Sequence, residues 1–319
     1  TPDASLNIKA SLAGRLKKCL RFWTFIGATA VVLAWIASGY LLPFQGDEPS
    51  VPFMAPNHGG AMKYEAAPTR MVDELLAAGA IRPCAEQPFY VSPLDTIPKP
   101  NQPGKFRLIL DLRELNKSMR KFKFRMETLA RRRWMFMPEG WMVSIDLTSA
   151  YMHCPINEDH TQYLGFWWNN QWYEFQTLPF GGDFAPSAFT MMASQITNFL
   201  RSRGVRLLAY LDDFLLVTYT KRACQKLAQF AVRVFQAAGF LINLPKSVLR
   251  PTQVIQSLGF IVDLGQFQIR LIEDRVVRVT DLIRRTHSAF SQGTRVPVKQ
   301  IAKICGTLAS MSLVLGALV

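Results

Sequence analysis

The stretch "RLLAYLDDFLLV", residues 206–217, places two adjacent carboxylates, Asp212 and Asp213, between two apolar runs. Val205–Tyr210 and Phe214–Val217 predict two short buried strands joined as a hairpin. Two readings of the acids follow. In one they are turn residues facing water, since Asp is a common turn former. Against this, tight hairpin loops favour Gly at the second position, and two like charges repel. In the other the pair is a hard-oxygen site for Mg²⁺, completed by the phosphate oxygens of a substrate. That chemistry requires a third carboxylate and a basic surface for a polyanion. Asp146 ends the strand pattern Met142–Ile145 in "MVSIDLTSAYMHCPI" (142–156) and supplies the carboxylate if its strand lies beside the hairpin. Taken alone, an Asp at a strand end is a turn residue or a helix cap.

The charge balance fits the second requirement. The chain of 319 residues has 37 Lys+Arg against 23 Asp+Glu, a net charge of +14. Such an excess favours a polyanionic partner, either nucleic acid or an acidic membrane surface. A hydrophobic content of 49% excludes a disordered chain. The five cysteines (Cys19, Cys84, Cys154, Cys224, Cys305) form no CxxC pair, and the four histidines (His58, His153, His160, His287) have no ligand spacing. Neither a zinc site nor a disulfide framework is indicated, and a reducing compartment, cytoplasmic or nuclear, fits. The chain begins at Thr1 and stops in the apolar run "SLVLGALV", as a piece of something longer would.

The elements that must position the acids follow from periodicity. From residue 142 the order is strand, long excursion, helix, strand, strand, helix, strand. This predicts a split βαβ, ferredoxin-like sheet in which the first strand and the 206–217 hairpin are neighbours. The excursion holds a hairpin in "YLGFWWNNQWYEFQTLPFG" (163–181) around Asn169-Asn170. Its Trp167, Trp168, Trp172 and Tyr173 suit a subdomain core, with base stacking as the alternative. A helix is expected from about residue 186, and an amphipathic one over 221–239, closed by Gly239. Upstream, 69–79 predicts a short amphipathic helix capped by Gly79. Residues 45–64 read as linker, and 93–104, with four prolines, as a loop. "KFRLILDLRELNK" (105–117) mixes an apolar strand with Lys105, Arg107, Arg113 and Lys117. The basic run 117–133 is interleaved with Phe122 and Phe124 and followed by Trp134, so it is either a solvated face or a nucleic-acid groove. Residues 22–44, "FWTFIGATAVVLAWIASGYLLPF", carry no charge. Their length suits a transmembrane helix, whereas Thr24, Gly27, Thr29, Ser38, Gly39 and Pro43 suit a buried helix followed by a turn.

These segments, in this order, resemble the reverse transcriptase domain of retroelements. "SIDLTSAY" resembles the first palm motif, "LPFGGDFAPSAF" the LPFG motif, "AYLDDFLLV" the Tyr-x-Asp-Asp box, and "KFRLILDLRELNK" the fingers strand. "GFLINLPKSVLRPTQVIQSLGFIVD" resembles the two motifs that follow. The flanks "WTFIGATAVVLAWIASGYLLPF" and "VKQIAKICGTLASMSLVLGA" resemble the DIRS-like, tyrosine-recombinase group of retrotransposons. The resemblance covers about residue 65 onward.

It implies an α+β right-hand polymerase: an N-terminal extension over 1–64, fingers and palm over 65–262, and a helical thumb over 263–319. It implies RNA-directed DNA synthesis with two Mg²⁺, Mn²⁺ being a substitute, held by Asp146, Asp212 and Asp213. Lys246 would protonate the leaving pyrophosphate. Arg107, with Lys105 and Lys99, would hold the triphosphate; Tyr151, Ser149, Ala150, Phe180 and Gly181 would lie at the nucleotide. Tyr151 matches the aromatic residue that excludes a ribose 2′-hydroxyl. Tyr210 and the turn Leu258-Gly259-Phe260 would contact primer and template. In the thumb Ile301, Ile304, Cys305, Leu308 and Met311 form one apolar stripe, and Arg275, Arg278, Arg284 and Arg285 would meet the duplex backbone. The implied partners are a primed RNA or DNA template and dNTPs, with no membrane. Asp183 departs from the pattern, where a neutral residue is expected. The rival classes are a non-catalytic nucleic-acid-binding relic and a protein anchored by 22–44.

Overall fold

The computed structural model describes residues 12–99 and 104–315. In chain order its strands are β1 (Phe53–Met54), β2 (Ile81–Cys84), β3 (Tyr90–Val91), β4 (Leu94–Pro98), β5 (Phe106–Leu110), β6 (Trp141–Asp146), β7 (Gly165–Trp168), β8 (Gln171–Phe175), β9 (Arg206–Tyr210), β10 (Asp213–Thr218), β11 (Val248–Thr252), β12 (Val254–Ser257), β13 (Phe260–Asp263) and β14 (Gln268–Leu271). The chain divides into two compact units that interleave in sequence. One comprises Thr1–Met126, Leu147–Ser202 and Val232–Asn243; the other comprises Glu127–Asp146, Arg203–Ala231 and Leu244–Val319.

The first unit holds a mixed sheet of order β1-β3-β7-β8-β2 and the separate ladder β4-β5. The β7–β8 turn has Asn169 at φ 47° and Asn170 at φ 58°. Asn accepts this left-handed backbone more readily than other side chains, so the hairpin closes in two residues. Trp167 and Trp172 stand opposite each other with ring centroids 4.1 Å apart, while Phe166 and Trp168 are buried.

Residues 22–44 do not form one apolar helix. Two short helices, Leu20–Phe25 and Ala30–Ser38, are separated by a turn with Gly27 at φ 75°. Trp23 is fully buried, and its Nε1–H donates to the Ala238 carbonyl at 2.9 Å. Among the described residues no helix is long and apolar enough to cross a membrane.

Residues 45–64 are not a linker either. They contribute β1, parallel to β3, and the helix Gly59–Lys63. Backbone N–H of Leu42 donates to His160 Nδ1 at 2.8 Å. The ring proton is therefore on Nε2, which donates to Glu48 at 3.0 Å, and the Tyr163 hydroxyl donates to the same carboxylate at 2.7 Å. Within the expected loop 93–104, Leu94–Pro98 form β4, paired with β5 so that Ile97 faces Arg107. Pro100 and Pro103 lie outside the described residues.

The second unit is built on the sheet β11-β6-β10-β9, every pairing antiparallel. Along the chain the helix Ala185–Ser202 follows β6 and the helix Lys221–Ala237 follows β10. This is the expected ferredoxin-like connectivity. Met142, Leu208, Leu215 and Val217 pack with Leu129, Met135, Ile255 and Val262 in one core. Their alternate neighbours Val143, Ile145, Leu207, Phe214 and Leu216 are buried too. Strands buried on both faces read as continuous apolar runs, which is how 206–217 reads on either side of its acids.

A second sheet, β12-β13-β14, reaches Leu271. The expected helical thumb from 263 thus opens with a strand, followed by the helices Glu273–Ser291 and Val298–Ala309. Of the apolar stripe only Met311 is buried; Ile301 and Cys305 are exposed.

Candidate active site

β6 and β10 run antiparallel with Asp146 directly opposite Asp213 and Ile145 opposite Phe214. Residues directly opposite in a ladder share a face, so the two carboxylates project to the same side. The tight turn is not Asp212-Asp213, as the sequence suggested. It is Leu211-Asp212, with Leu211 at φ 53°, and Asp213 is the first residue of β10, paired with Tyr210. The reason is the period-two side-chain alternation. With Phe214 and Leu216 fixed in the core on one face, Asp213 must lie on the other, and a one-residue slip would invert both. Holding a leucine in the left-handed region costs of order 1 kcal/mol, offset by the register it enforces.

The electrostatics reflect crowding. Burial of its carboxyl, then the charges of Asp212 and Asp146 and a hydrogen-bonding approach to Asp146, push Asp213 up to about 6. The residue as a whole is still exposed at the start of its strand. Burial and the Asp146 charge also raise Asp212. Lys246 opposes both shifts. Asp146 Oδ1 is buried and has no hydrogen-bond partner. A buried carboxylate oxygen without a donor is costly unless a cation takes it.

Lys246 is brought to these acids by its neighbour. The Asp146 backbone N–H donates to Ser247 Oγ at 3.0 Å, and the Val248 N–H donates to Ser144 Oγ at 3.3 Å. The turn before β11 is thereby tied to the carboxylate-bearing strand. Among the described residues no three His, Cys, Asp or Glu side chains already converge as a metal cluster. Mg²⁺, however, is commonly held by one or two carboxylates plus substrate phosphates. Two opposed carboxylates, a third on the adjoining turn and an unpartnered Oδ1 fit that donor set.

The residues assigned to the nucleotide lie in the other unit. Lys99 and Lys105 face each other across the β4–β5 hairpin, the Lys99 N–H donating to the Lys105 carbonyl at 2.8 Å, and Arg107 is exposed on β5. Gly181 has φ 109°, and a Cβ there would lie 2.4 Å from the Leu110 carbonyl oxygen. Only glycine permits this approach of the turn to the end of β5. Tyr151 sits in the 3-10 turn Ala150–His153, its ring 5.4 Å from that of Phe180 and 5.4 Å from that of Phe189. Ser149 precedes it at φ 46°, and Ala150 is buried.

Sequence reasoning missed Asn116. Its Nδ2 donates to the Gly181 carbonyl and its Oδ1 accepts from the Asp183 N–H, both at 3.0 Å. Asp183, the departure from the expected pattern, is thus fixed by its backbone while its side chain is exposed. Nothing in "RELNK" distinguishes this amide from an ordinary helical Asn, because its partners are 65 residues away or more.

The turn Leu258-Gly259-Phe260 is present, with φ 50° and 80° at its first two residues. Phe260, expected at the primer, is buried and carries the Arg275 guanidinium 5.0 Å from its ring centroid. Arg275 also donates to Ser310 Oγ at 2.6 Å. Phe260 and Arg275 thus contact each other within their own unit, with Leu258 and Gly259 at the turn itself. Tyr210 packs partly against the core beneath the sheet.

Comparison with known proteins places this geometry. Residues 97–262, just over half of the chain, match the family model described as reverse transcriptase (RNA-dependent DNA polymerase). Protein P of Duck hepatitis B virus (strain China) is 25% identical over 187 residues, 56% of this chain and 23% of the viral protein. The putative enzymatic polyprotein of Cassava vein mosaic virus is 25% identical over 207 residues, 62% of this chain and 30% of its own length. The chain therefore spans about a quarter of the length of these relatives. Among solved structures, the foamy viral protease-reverse transcriptase in complex with dsDNA is similar with a TM-score of 0.66 at 18% identity, over 92% of this chain and 61% of that one. Its complex with an RNA/DNA hybrid gives a TM-score of 0.62 at 17% identity, over 92% of this chain and 39% of that one. The α+β, right-hand polymerase fold expected from the sequence is the fold of these structures. With its family model spanning both units and the Asp146–Asp213 pair inside the match, the chain belongs to the reverse transcriptase (RNA-dependent DNA polymerase) family.

Proposed function

We propose that the chain is the polymerase portion of a DIRS-like retrotransposon enzyme, which extends a primer on an RNA or DNA template with dNTPs. The observation that carries this is the opposition of Asp146 and Asp213 around an unpartnered buried oxygen, in a chain of net charge +14. Asp146 and Asp212 would hold two divalent ions, Mg²⁺ or Mn²⁺, with Asp213 assisting. When bound, such ions stabilise the attacking and leaving oxygens of an in-line displacement. The carboxylates fix where those oxygens sit; as the primer O3′ loses its proton to solvent and bonds to the α-phosphorus, the α–β phosphoanhydride bond breaks and Lys246 gives a proton to the departing pyrophosphate. Arg107, Lys105 and Lys99 neutralise the triphosphate. Tyr151 fills the space a ribose 2′-hydroxyl would need, with Phe180, Gly181, Ser149 and Ala150 shaping the same region, and Tyr210, Leu258 and Gly259 contact primer and template.

The foamy viral enzymes were captured with dsDNA and with an RNA/DNA hybrid, and partners of that class are proposed here. The flanking sequences support the DIRS-like assignment. A reducing compartment, cytoplasmic or nuclear, without a membrane partner, suits the five free cysteines. A relic that only binds nucleic acid is disfavoured, because three crowded acids in a basic chain oppose a polyanion unless cations join them.

The test is primer extension on RNA and on DNA templates with Mg²⁺ or Mn²⁺. Template-dependent incorporation of dNTPs is expected on both. Binding of primer-template without any extension by the folded chain would leave the relic reading in place.

A further inference from the structure

Tyr151 stands in a turn clamped at both ends by one residue, Leu241. The Thr148 N–H donates to the Leu241 carbonyl at 2.9 Å, and the Leu241 N–H donates to His153 Nε2 at 3.2 Å. Leu147 bridges Ile242 just beyond. Between these ties lie Ser149, Ala150, Tyr151 and Met152. Ser149 is held in the left-handed region at φ 46°, a conformation that a non-glycine residue keeps only when its surroundings enforce it.

His153 is wholly buried. Because Nε2 accepts from a backbone N–H, the neutral ring carries its proton on Nδ1. That atom turns toward the Ala150 and Ser149 carbonyls without reaching full hydrogen-bond geometry. The ring packs 5.1 Å from Phe240, Phe240 lies 6.1 Å from Phe189, and Phe189 lies 5.4 Å from Tyr151. The imidazole thus meets Tyr151 by two routes, through the backbone of its own turn and through a continuous row of rings.

We propose that His153 is a positioning residue for sugar selection, fixing the turn so that the Tyr151 ring stays where a ribose 2′-hydroxyl would have to enter. The inference rests on the reading of Tyr151 as the residue that excludes that hydroxyl. An acceptor on Leu241 N–H is what the position requires. Phenylalanine would keep the ring packing and lose the acceptor; glutamine would keep an acceptor and lose the ring.

The experiment is the ratio of kcat/KM for a matched dNTP and rNTP, measured on the full chain with Tyr151→Val, His153→Phe, His153→Gln and the Tyr151→Val double variants. Tyr151→Val is expected to collapse the ratio. His153→Phe is expected to lower it roughly tenfold, as sub-ångström misplacement of a selecting group does. His153→Gln should recover most of that loss. In the Tyr151→Val background neither His153 change should lower the ratio further, since a group acting through Tyr151 has nothing left to act on. Should His153→Phe fail to fold, His153→Leu, which also removes the acceptor on Leu241 N–H, carries the same comparison with its own Tyr151→Val double variant. A ratio untouched by His153→Phe while Tyr151→Val collapses it overturns the proposal, as does an additive fall in the double variant. A ratio untouched by Tyr151→Val instead sinks the reading of Tyr151 itself, and this inference with it.

Discussion

Asp146 and Asp213 face each other across the β6–β10 ladder, one the last residue of its strand and the other the first of its own. Two carboxylates so placed repel unless a proton or a cation lies between them. Burial of its carboxyl first, and then the charges of Asp212 and Asp146, push Asp213 up to about 6.

Asp146→Asn and Asp212→Asn should each abolish primer extension. Losing a cation ligand removes several kcal/mol of transition-state stabilisation, and each ~1.4 kcal/mol is tenfold in rate. Thermal unfolding with and without Mn²⁺ gives a second readout: both variants should lose the shift that the ion produces in the parent chain. Near-full activity in either folded variant would remove that carboxylate from the site.

Binding of primer-template should survive those substitutions and weaken steeply with salt. The net charge of +14 motivates this, together with the exposed Lys121, Lys123 and Arg125. A log–log slope of roughly −0.7 to −0.9 per neutralised phosphate is expected in a titration from low to physiological salt. An affinity indifferent to salt would exclude a phosphate backbone as the main contact.

Trp23→Ala should destabilise the fold strongly. The indole is fully buried, its ring centroid lies 6.1 Å from that of Phe240, and its N–H satisfies the Ala238 carbonyl. Truncating a buried tryptophan costs about 3–5 kcal/mol. Urea denaturation is the measurement. A loss below about 1 kcal/mol would mean that residues 22–44 are not integrated into the fold.

The fold should lose stability in mild acid through His153. Burial, with a minor contribution from the Arg15 charge, depresses His153 from 6.5 to about 4. A histidine depressed on folding contributes its stability fully above the unfolded value. That stability is lost as pH falls from about 6.5 through about 4, up to about 3 kcal/mol in all. Urea midpoints at pH 7 and pH 5 should diverge in the parent chain and converge in His153→Gln. An equal divergence in both would place the acid sensitivity elsewhere.

The local elements were determined by the sequence alone. Apolar runs of strand length, Asn169-Asn170, Gly79 and Gly239 act through their own backbone preferences. Neighbouring residues therefore suffice to read them. Asp146, Asp212 and Asp213 stand out in the sequence as charges beside apolar strand patterns, where a turn is the plain alternative; that Asp146 lies opposite Asp213 comes from the ladder. What only the tertiary structure decided depends on partners far along the chain. The turn fell on Leu211-Asp212 because the ladder with β6 and the core face of Phe214 and Leu216 set the register, which no local preference of Asp-Asp reveals. Residues 45–64 look like linker because their composition is that of a loop. They become structure through β3, His160 and Tyr163, none of them adjacent in sequence. Asn116 and His153 belong to the same class. A polar side chain has no visible role until folding brings a distant backbone group to it, and burial then makes that one hydrogen bond expensive to lose.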